Sequence, residues 1–526
     1  MAAEEISEVA ADVAQAAPGI DESIDAFFQP AMESASDLVF WGVYLGQCKV
    51  EEMNQYAETW RGLKILKPYI PLPVDACLQL KFILVWLAAA AVFFTLYLGL
   101  INLRHFGKSI KLLFGEGMTA NKDGEISQFQ ALMASLSGTV GLGNIAGVAV
   151  AISTGGPGAA FWMTLMGFLG MSSKFAEVML GVKYRQHRDE DHPERISGGP
   201  MYYLKHAFAS RGMPSVGTFF AMFFAICCIL GTIGGGNMYQ ANQSFKQVVI
   251  ATGGDASVLA GYGWAFGVLM ALLVGAVIMG GLKSIAAVAS KLVPIMGGIY
   301  VLSGLIVIGM HFGHLPEAII TIISSAFSLK AGMGALLGGL LIGVQRAAFS
   351  NEAGLGSAAI VQSTTNTDGP VGTGIVAMLG PFIDTIIICN ITALVIVVTG
   401  VYDLSNGIEG VELTSRAFAD GIPWFPYVLT VTVLLFAYST MISWYYCGAV
   451  CVRYVFGEKD WIETVFKIFY LLCTLVGTAT QLDNLINFTD AAMMSMAFPN
   501  ILGLFLFAPE IRRDLKEYIA QSKATA

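Results

Sequence analysis

The sequence predicts an all-α polytopic membrane protein, and three observations predict it. Only 13% of the 526 residues are charged and 55% are hydrophobic, whereas a soluble domain carries about 25% charged residues. The chain contains 59 glycines, a residue that is commoner in transmembrane helices than in soluble ones. Long apolar runs also recur along the chain. A protein that lives in hydrocarbon explains all three.

The apolar runs predict about eleven transmembrane helices, since each reaches the ~20 residues that a span requires. They centre near 81–103, 129–153, 157–181, 216–242, 258–281, 291–312, 333–362, 371–400, 425–452, 462–480 and 489–508. The runs are too long and too continuously apolar for the ~10-residue alternating strands of a membrane barrel. Helices also satisfy their own backbone hydrogen bonds in lipid.

The basic residues predict the orientation of these spans. Loops one, three, five and nine and the tail after span eleven lie on one side of an eleven-span topology. They carry Arg104, Lys108, Lys111, Lys122, Lys183, Arg185, Arg188, Arg195, Lys205, Arg211, Lys283, Lys291, Arg453, Lys459, Arg512, Arg513, Lys516 and Lys523. The loop at 401–424 is acidic, with a single Arg416. By the positive-inside rule we expect the C-terminus in the cytoplasm and the N-terminus outside.

Composition divides the chain into three parts. Residues 1–80 form an acidic N-terminal extension, whose amphipathic segments at 22–32 and 35–46 we expect on the membrane surface. Residues 81–508 form the membrane domain, and 509–526 form a basic cytoplasmic tail. Six of the cysteines lie inside apolar runs, so we expect no disulfide framework and no Cys/His metal site.

The second span contains polar and flexible residues where a plain helix would avoid them. It reads ALMASLSGTVGLGNIAGVAVAI, with Gly138, Gly141, Gly143 and Asn144 in its middle. Glycine weakens a helix by ~1 kcal/mol relative to alanine, and a polar side chain in lipid needs a partner. Two interpretations are open at this point, a close helix–helix contact through small residues or an interrupted helix.

The seventh span shows the same feature. It reads GLLIGVQRAAFSNEAGLGSAAIV and is broken by Ser350, Asn351, Glu352, Gly354 and Gly356. Spans two and seven are five apart, so they open two halves of five spans, and glycine-interrupted segments at such positions indicate a transporter site. Freed N–H groups at an interruption can bind a carboxylate. Freed carbonyls, with Ser, Thr and Asn oxygens, suit a small hard cation.

Several motifs extend this pattern into a family resemblance. In order they are GGPGAAFWM (155–163), GGPMYYL (198–204), GNMYQAN (236–242), KLVP (291–294), FSNEAGLGSA (349–358), LGPFIDT (379–385) and FAYST (436–440). From about 80 to 510 the chain resembles the alanine or glycine:cation symporter family. VGLGN (140–144) is similar to the first core helix of neurotransmitter:sodium symporters. The resemblance implies one extra N-terminal helix followed by the five-plus-five inverted repeat of the leucine-transporter type, and Na+ as the coupling ion.

The resemblance also implies a substrate site. Leu142 and Gly143 would offer their N–H groups to a substrate carboxylate, and Gln240 and Phe349 would line the pocket. The alternatives are close packing for Gly143 and ordinary core packing for Phe349. The full set expected to bind substrate is Thr139, Leu142, Gly143, Gln240, Phe349, Asn351 and Thr440.

Two cation sites follow from the same comparison. The first would use the carbonyl of Thr139, the side chain of Asn144, Ser350 and Asp384. A buried carboxylate in an apolar run is costly and marks function, although Asp384 could instead face the substrate ammonium or form a structural salt bridge. The second would use the carbonyls of Ser137, Val140 and Phe436 with the hydroxyls of Ser439 and Thr440. There the alternative is that the hydroxyls bond to their own helix.

Other classes fit the sequence less well. It has no HExxH, no paired-Asp protease signature and no Cys/His cluster, so we expect no enzyme. A channel would also use interrupted helices, but the two broken segments differ in sequence, which favours one asymmetric site. Lys174 and Glu177 we expect to form a local ion pair. The sequence thus predicts a sodium-coupled symporter that imports alanine and/or glycine by alternating access in the cell membrane, with no nucleic-acid partner.

Overall fold

The computed structural model describes residues 39–40, 42–46, 69–70, 77–114, 124–187, 196–328, 333–367, 369–402, 410–480 and 482–524. The segment 22–32, expected on the membrane surface, lies outside these residues, as does most of 1–80. Where that extension is described, it forms a small sheet. Strand β1 (Gly42–Gly46) pairs in parallel with β2 (Tyr69–Ile70) and antiparallel with β3 (Cys77–Lys81).

The first half of the membrane domain consists mainly of helices. Helices α1 to α6 are Phe82–Tyr97, Ile101–Arg104, Phe106–Leu113, Gln128–Thr139, Ala146–Gly155 and Gly158–Lys183. Helices α7 to α11 are Pro200–Ala209, Pro214–Ile233, Tyr239–Ala251, Gly263–Ile278 and Gly281–Met310. A π-helical turn, Gly234–Met238, joins α8 to α9. Strands β4 (Gln186–His187) and β5 (Ile196–Ser197) pair antiparallel before α7.

The second half is also mainly helical. Helices α12 to α16 are Leu315–Ala326, Met333–Asn351, Ser357–Gln362, Pro370–Ala377 and Leu379–Pro381. Helices α17 to α21 are Asn390–Thr399, Val411–Gly421, Phe425–Phe456, Asp460–Ala479 and Leu482–Ala524. A π-helical segment, Phe382–Cys389, joins α16 to α17. One-turn 3-10 helices lie at Gly254–Ala256 and Phe312–His314.

Local sequence explains where several helices begin. The side chain of Ser127 accepts a hydrogen bond from the Gln130 N–H, and the Gln130 side chain accepts one from the Ser127 N–H, which is a capping box at the start of α4. Helices α7, α8 and α15 begin with proline in the first turn, where its missing N–H costs nothing.

The chain is an all-α polytopic membrane protein. Seven helical segments of the described chain are long and apolar enough to cross a membrane, and they are Gly158–Lys183, Pro214–Ala251, Gly281–Met310, Pro370–Thr399, Phe425–Phe456, Asp460–Ala479 and Leu485–Ser522. Shorter apolar helices occur at Phe82–Tyr97, Ala146–Gly155 and Gly263–Ile278. The predicted second and seventh spans are both interrupted, as expected. The count of eleven and the inverted repeat stay predictions.

Three boundaries differ from the sequence-based expectation. Lys283 and Lys291, expected in a loop, lie exposed on α11, because a long helix with an apolar face tolerates lysines on its outer face. The predicted loop at 401–424 contains the amphipathic helix α18. The expected tail at 509–526 continues the last span as a single helix to Ala524.

The two interrupted helices lie at the centre of the bundle. Helix α4 packs against α11 and α19, and α5 packs against α13 and α18. Helix α6 packs along both α13 and α15. Residues at both interruptions are therefore buried, and Asn144, Ser350 and Asp384 each have no exposed surface.

Candidate substrate and cation site

The first interruption, Val140–Ile145, separates α4 from α5 and is called the first break below. Two of its N–H groups are bound by neutral side chains, and those of Val140, Asn144 and Ile145 donate to backbone carbonyls. The N–H of Gly141 donates to Asn144 Oδ1 (2.9 Å), and that of Leu142 donates to Gln240 Oε1 (3.3 Å). The N–H of Gly143 forms no hydrogen bond within the described part of the chain. The first break thus offers donors at membrane depth that only neutral groups cover.

The second interruption, Glu352–Gly356, separates α13 from α14 and is called the second break below. Glu352, Gly354 and Gly356 all have positive φ, at 56°, 89° and 88°. This left-handed backbone suits glycine and is uncommon for glutamate. The N–H groups of Gly354 and Gly356 both donate to Glu177 Oε2 at 3.1 Å.

Lys174 and Glu177 form the expected ion pair, with Nζ 3.2 Å from Oε1. Lys174 Nζ also donates to the carbonyl oxygen of Glu352 (3.2 Å). Asn500 adds hydrogen bonds from its amide nitrogen to Glu177 Oε2 (3.1 Å) and to the Gly354 carbonyl (2.8 Å). The pair does more than the sequence predicted, because it also hydrogen-bonds backbone N–H and C=O groups of the second break that lack a helical partner.

Asp384 lies where the two breaks meet. It occupies the π-helical segment Phe382–Cys389, a type of irregularity found often at functional sites. Its Oδ1 accepts from Asn144 Nδ2 (2.6 Å), and its Oδ2 accepts from the hydroxyls of Ser350 (2.7 Å) and Thr385 (2.8 Å). Asn144 Nδ2 also lies 3.0 Å from the Ser350 hydroxyl oxygen. Three of the four predicted ligands of the first cation site are therefore in contact.

The buried charges are not balanced. Among the described residues, each cationic side chain that is buried has an acidic partner. The pairs are Lys174 with Glu177, Arg346 with Asp490, and Arg453 with Glu463. Asp384 and Glu352 are buried and form no ion pair in that part of the chain. The salt-bridge alternative for Asp384 therefore finds no cationic partner there, and a carboxylate in low dielectric without one favours a bound cation.

The predicted second cation site is also partly assembled, between α4 and α19. Ser137 Oγ donates to the Ser439 carbonyl (2.7 Å), and Ser439 Oγ donates to the Phe436 carbonyl (3.0 Å). The second of these bonds is the within-helix alternative foreseen for the hydroxyls. Thr440 behaves differently, since its buried hydroxyl has no hydrogen-bond partner among the described residues.

Three predicted residues form no hydrogen bond with the other residues of their predicted sites in the described part of the chain. The Thr139 hydroxyl bonds back to Ser135 and Leu136 on its own helix. Val140 is fully buried at the end of α4. Asn351 donates to Thr385 Oγ1 (3.0 Å) and accepts from the Ala353 N–H, so it supports the backbone around Asp384.

Aromatic and charged residues pack beside the first break. Phe349 lies so near that a Cβ on Gly143 would be 3.3 Å from its ring. Tyr239 meets the Phe349 ring edge to face at 5.4 Å between centroids. Arg346 lies over the same ring, 5.3 Å from its centroid, and is ion-paired with Asp490 on α21. The sequence did not single out Tyr239, Arg346 or Asp490.

Trp444 joins α4 to the second break, a contact that sequence reasoning also missed. Its indole Nε1 lies 3.2 Å from the carbonyl of Gly138 and 3.1 Å from Glu352 Oε1. The other missed feature is the π-helical turn Gly234–Met238, whose Gly235 carbonyl accepts from Gln240 Nε2 (2.9 Å). The run GGGN was the available signal for this turn, whereas nothing local to Trp444 indicates its contacts.

Two buried helix interruptions, with the carboxylates of Asp384 and Glu352 lacking a cationic partner among the described residues, are typical of a cation-coupled membrane transporter. Residues 69–526 match the sodium:alanine symporter family, and the chain belongs to that family. As expected, the family and the chain's relatives are transporters and not enzymes.

Individual relatives agree with this assignment. The sodium/alanine symporter AgcS of Methanococcus maripaludis is 37% identical over 441 residues, covering 83% of this chain and 94% of that protein. The amino-acid carrier protein AlsT of Bacillus subtilis is 32% identical, covering 84% and 90%. The solved structure of MhsT in complex with L-phenylalanine matches with a TM-score of 0.49 at 15% identity, covering 73% of this chain and 99% of that one. The family match, with the relatives AgcS and AlsT, shows that the chain is a sodium-coupled amino-acid symporter.

Proposed function

We propose that this symporter imports a small neutral amino acid, alanine and/or glycine, together with Na+ by alternating access. The observation that carries the proposal is the contact between Asn144, Ser350 and Asp384 beside the N–H groups of the first break. That arrangement puts a carboxylate without a cationic partner among the described residues near backbone donors that are capped only by neutral groups or, at Gly143, not capped in the described chain. A cation and the carboxylate of a zwitterion suit these two features. The alanine specificity in the name of AgcS supports the choice of substrate.

The substrate carboxylate would bind the N–H groups of Leu142 and Gly143. In the described structure the Leu142 N–H is already bound by the amide oxygen of Gln240. An amide oxygen and a carboxylate oxygen accept the same hydrogen bond, so Gln240 stands where a substrate oxygen would lie. We infer that substrate displaces Gln240 from Leu142, and that Thr139, Asn351 and Thr440 complete the pocket.

Sodium would bind at two places. Asp384, Asn144, Ser350 and the Thr139 carbonyl form the first site, in which the carboxylate offsets the desolvation of the ion better than a neutral oxygen does. The second site consists of the Ser137, Val140 and Phe436 carbonyls with the Ser439 and Thr440 hydroxyls. The unpartnered Thr440 hydroxyl supports it, since a buried oxygen without a partner costs free energy until a ligand binds.

Closure on one side of the pocket would involve Phe349, Tyr239 and the Arg346–Asp490 pair. Arg346 and Phe349 belong to α13 and Asp490 belongs to α21, so separating the pair would open a path between two helices. Na+ and substrate that share the first break raise each other's affinity by the same factor. The distribution of Lys and Arg supports a cytoplasmic C-terminus and an outer N-terminus in the cell membrane.

Uptake of labelled alanine into proteoliposomes tests the proposal. We expect uptake driven by an inward sodium gradient at fixed pH, and none above background when choline replaces sodium. Equal uptake in choline would contradict sodium coupling. An unlabelled excess of glycine should compete, whereas an excess of leucine should not.

Pocket size gives an independent measurement. Phe349 packs against the first break, so an added methylene should cost the substrate about 1–3 kcal/mol. Phe349→Ala should let leucine compete. Phe327→Ala, an exposed phenylalanine on the outer surface, is the matched control and should leave selectivity unchanged.

A further inference from the structure

Glu352 is held in an uncommon backbone conformation at the second break. It has φ of 56° and is 4% exposed. Its carboxylate accepts hydrogen bonds from Trp444 Nε1 (3.1 Å) and from the Ser357 hydroxyl. Neither donor carries a charge, and Lys174 bonds only to its backbone carbonyl. The proposed sodium and substrate sites leave this buried carboxylate without a role.

A small cavity adjoins the carboxylate. It measures about 10 Å³, room for the centre of one water-sized sphere. Oxygen-bearing side chains line it on more than one side, and they are Ser135 on α4, Glu352 and Ser357 at the second break, and Ser443 on α19. The backbone of Gly138 lines it as well. The cavity therefore lies between three elements, at the end of α4 that leads into the first break.

The hydroxyl of Ser443 has no hydrogen-bond partner among the described residues, and Ser443 is 2% exposed. A buried polar atom of this kind is rare in native proteins. Its place in the cavity wall indicates that the cavity holds an occupant that binds to the Ser443 hydroxyl oxygen.

Three possible occupants differ in whether they would neutralise the Glu352 charge and whether they would bind the Ser443 hydroxyl. A proton on Glu352 would remove the charge and leave the Ser443 hydroxyl unpartnered. A water molecule would bind Ser443 and leave the charge uncompensated. A small monovalent cation would do both, since hard cations bind carboxylate and hydroxyl oxygens.

We propose that this cavity is a further Na+ site, with the Glu352 carboxylate and the Ser135, Ser357 and Ser443 hydroxyls as its ligands. It is separate from the two sites built on Asp384 and on Ser439. An ion there would join the second break to α4 and α19, and so would favour one relative position of the two interrupted helices. The inference rests on the proposed function only in taking Na+ as the coupling ion.

Counting bound ions tests the site. Purified full-length protein in nanodiscs is titrated with 22Na+, and the number bound per chain at saturation is compared between the wild type and E352Q. Glutamine keeps the size and an acceptor for Trp444. We expect E352Q to bind one Na+ fewer per chain. We expect S443A, which removes one ligand and no charge, to raise the concentration for half-saturation of one ion about tenfold. Ser324→Ala, at an exposed serine of α12, should match the wild type.

Equal counts and equal half-saturation in wild type, E352Q and S443A would overturn the site. Loss of pH-dependent uptake in E352Q with an unchanged count would assign a proton instead. Should E352Q fail to fold, S443A and S135A still decide the question. If wild-type protein bound no Na+ and took up no alanine, the proposed function would fail. Sodium-driven alanine uptake with equal counts would reject only the further site.

Discussion

The first and second breaks differ in which side chains bind the backbone N–H groups that lack a helical partner. At the first break, Gly141 and Leu142 donate to neutral amide oxygens, those of Asn144 and Gln240. At the second break, Gly354 and Gly356 donate to the charged Glu177, which is itself held by a lysine and an asparagine. Hydrogen bonds to charged groups are roughly twice as strong as neutral ones. The second break is therefore held more strongly by the protein itself, and on the proposed function it is the substrate that completes the first.

This difference suggests different roles for the two interruptions, one in stability and one in ligand binding. A break held by an internal ion pair keeps its shape when the ligand leaves. A break capped by neutral amides can exchange those caps for a substrate at little cost. Substitutions at the second break should accordingly affect stability first, and substitutions at the first break should affect ligands first.

The largest effect is expected from Lys174→Ala. Removing one partner of a buried ion pair leaves the other charge uncompensated, at a cost of about 3–5 kcal/mol. Folded yield and the melting temperature of the detergent-purified protein should both fall. Lys205→Ala is the control, because Lys205 is exposed on α7 and its loss should change stability by less than about 0.5 kcal/mol. Equal melting temperatures for the two variants would mean that Glu177 does not need its cation.

Asp384→Asn keeps the size of the side chain and removes its charge. If Asp384 binds Na+, half-maximal transport should need roughly 10- to 100-fold more sodium, the equivalent of about 1.5–3 kcal/mol. Alanine affinity should fall at low sodium and partly recover at high sodium, measured by uptake across a sodium series.

Two other outcomes for Asp384→Asn have different meanings. Lower alanine affinity at every sodium concentration would place Asp384 against the substrate ammonium. A lower melting temperature with both affinities unchanged would make the residue structural and would reject its ligand role.

A pair of glycine substitutions compares the breaks directly. Gly356 has φ of 88°, and a Cβ there would lie 2.5 Å from Pro200 Cγ. Gly356→Ala should therefore cost about 1–3 kcal/mol of stability. At Gly143 a Cβ would lie 3.3 Å from the Phe349 ring, so Gly143→Ala should spare stability and weaken alanine binding. Melting temperature and uptake affinity measured for both variants check this, and the reverse pattern would contradict this difference in roles.

Gln240→Leu should give the smallest effect. Without substrate it leaves the Leu142 N–H unsatisfied, which costs about 1 kcal/mol. Bound alanine restores the hydrogen bond, so the rise in melting temperature caused by alanine should be larger in the variant. A smaller rise would show that Gln240 contacts the substrate and does not compete with it. Gln186→Leu, at an exposed glutamine of β4, serves as the control.

The sequence predicted the parts of the site that are rare in a membrane helix. Gly141, Asn144 and Asp384 were found because glycine clusters, amides and carboxylates are costly in apolar runs. Both interrupted helices were predicted for this reason, and the structure confirms them. The contact of Asn144 and Ser350 with Asp384 followed the family resemblance.

The unpredicted parts depend on distant contacts. Nothing near Glu177 in the sequence shows that its carboxylate reaches Gly354 and Gly356, since these glycines lie 177 and 179 residues further along the chain. Trp444 looks like any apolar residue of a long span until α4 and the second break lie beside it. The ends of α11 and α21 were misjudged because hydropathy marks where the apolar part stops, while a helix continues as long as its backbone is satisfied.

Helix α21 is one continuous helix, and three of its polar contacts with other helices are spread along its length. Asp490 pairs with Arg346 beside the pocket, Asn500 binds the second break, and Asp514 pairs with Lys183 at the end of α6. At ~1.5 Å per residue the first and last of these lie about 36 Å apart, comparable with the ~30 Å of a hydrocarbon layer. If Asp490 leaves Arg346, either the other two attachments shift with it or the helix bends at Pro499 or Pro509, which lie within it. In the proposed alternating-access cycle, as long as α21 stays straight, separating Asp490 from Arg346 would therefore also displace Asp514 from Lys183.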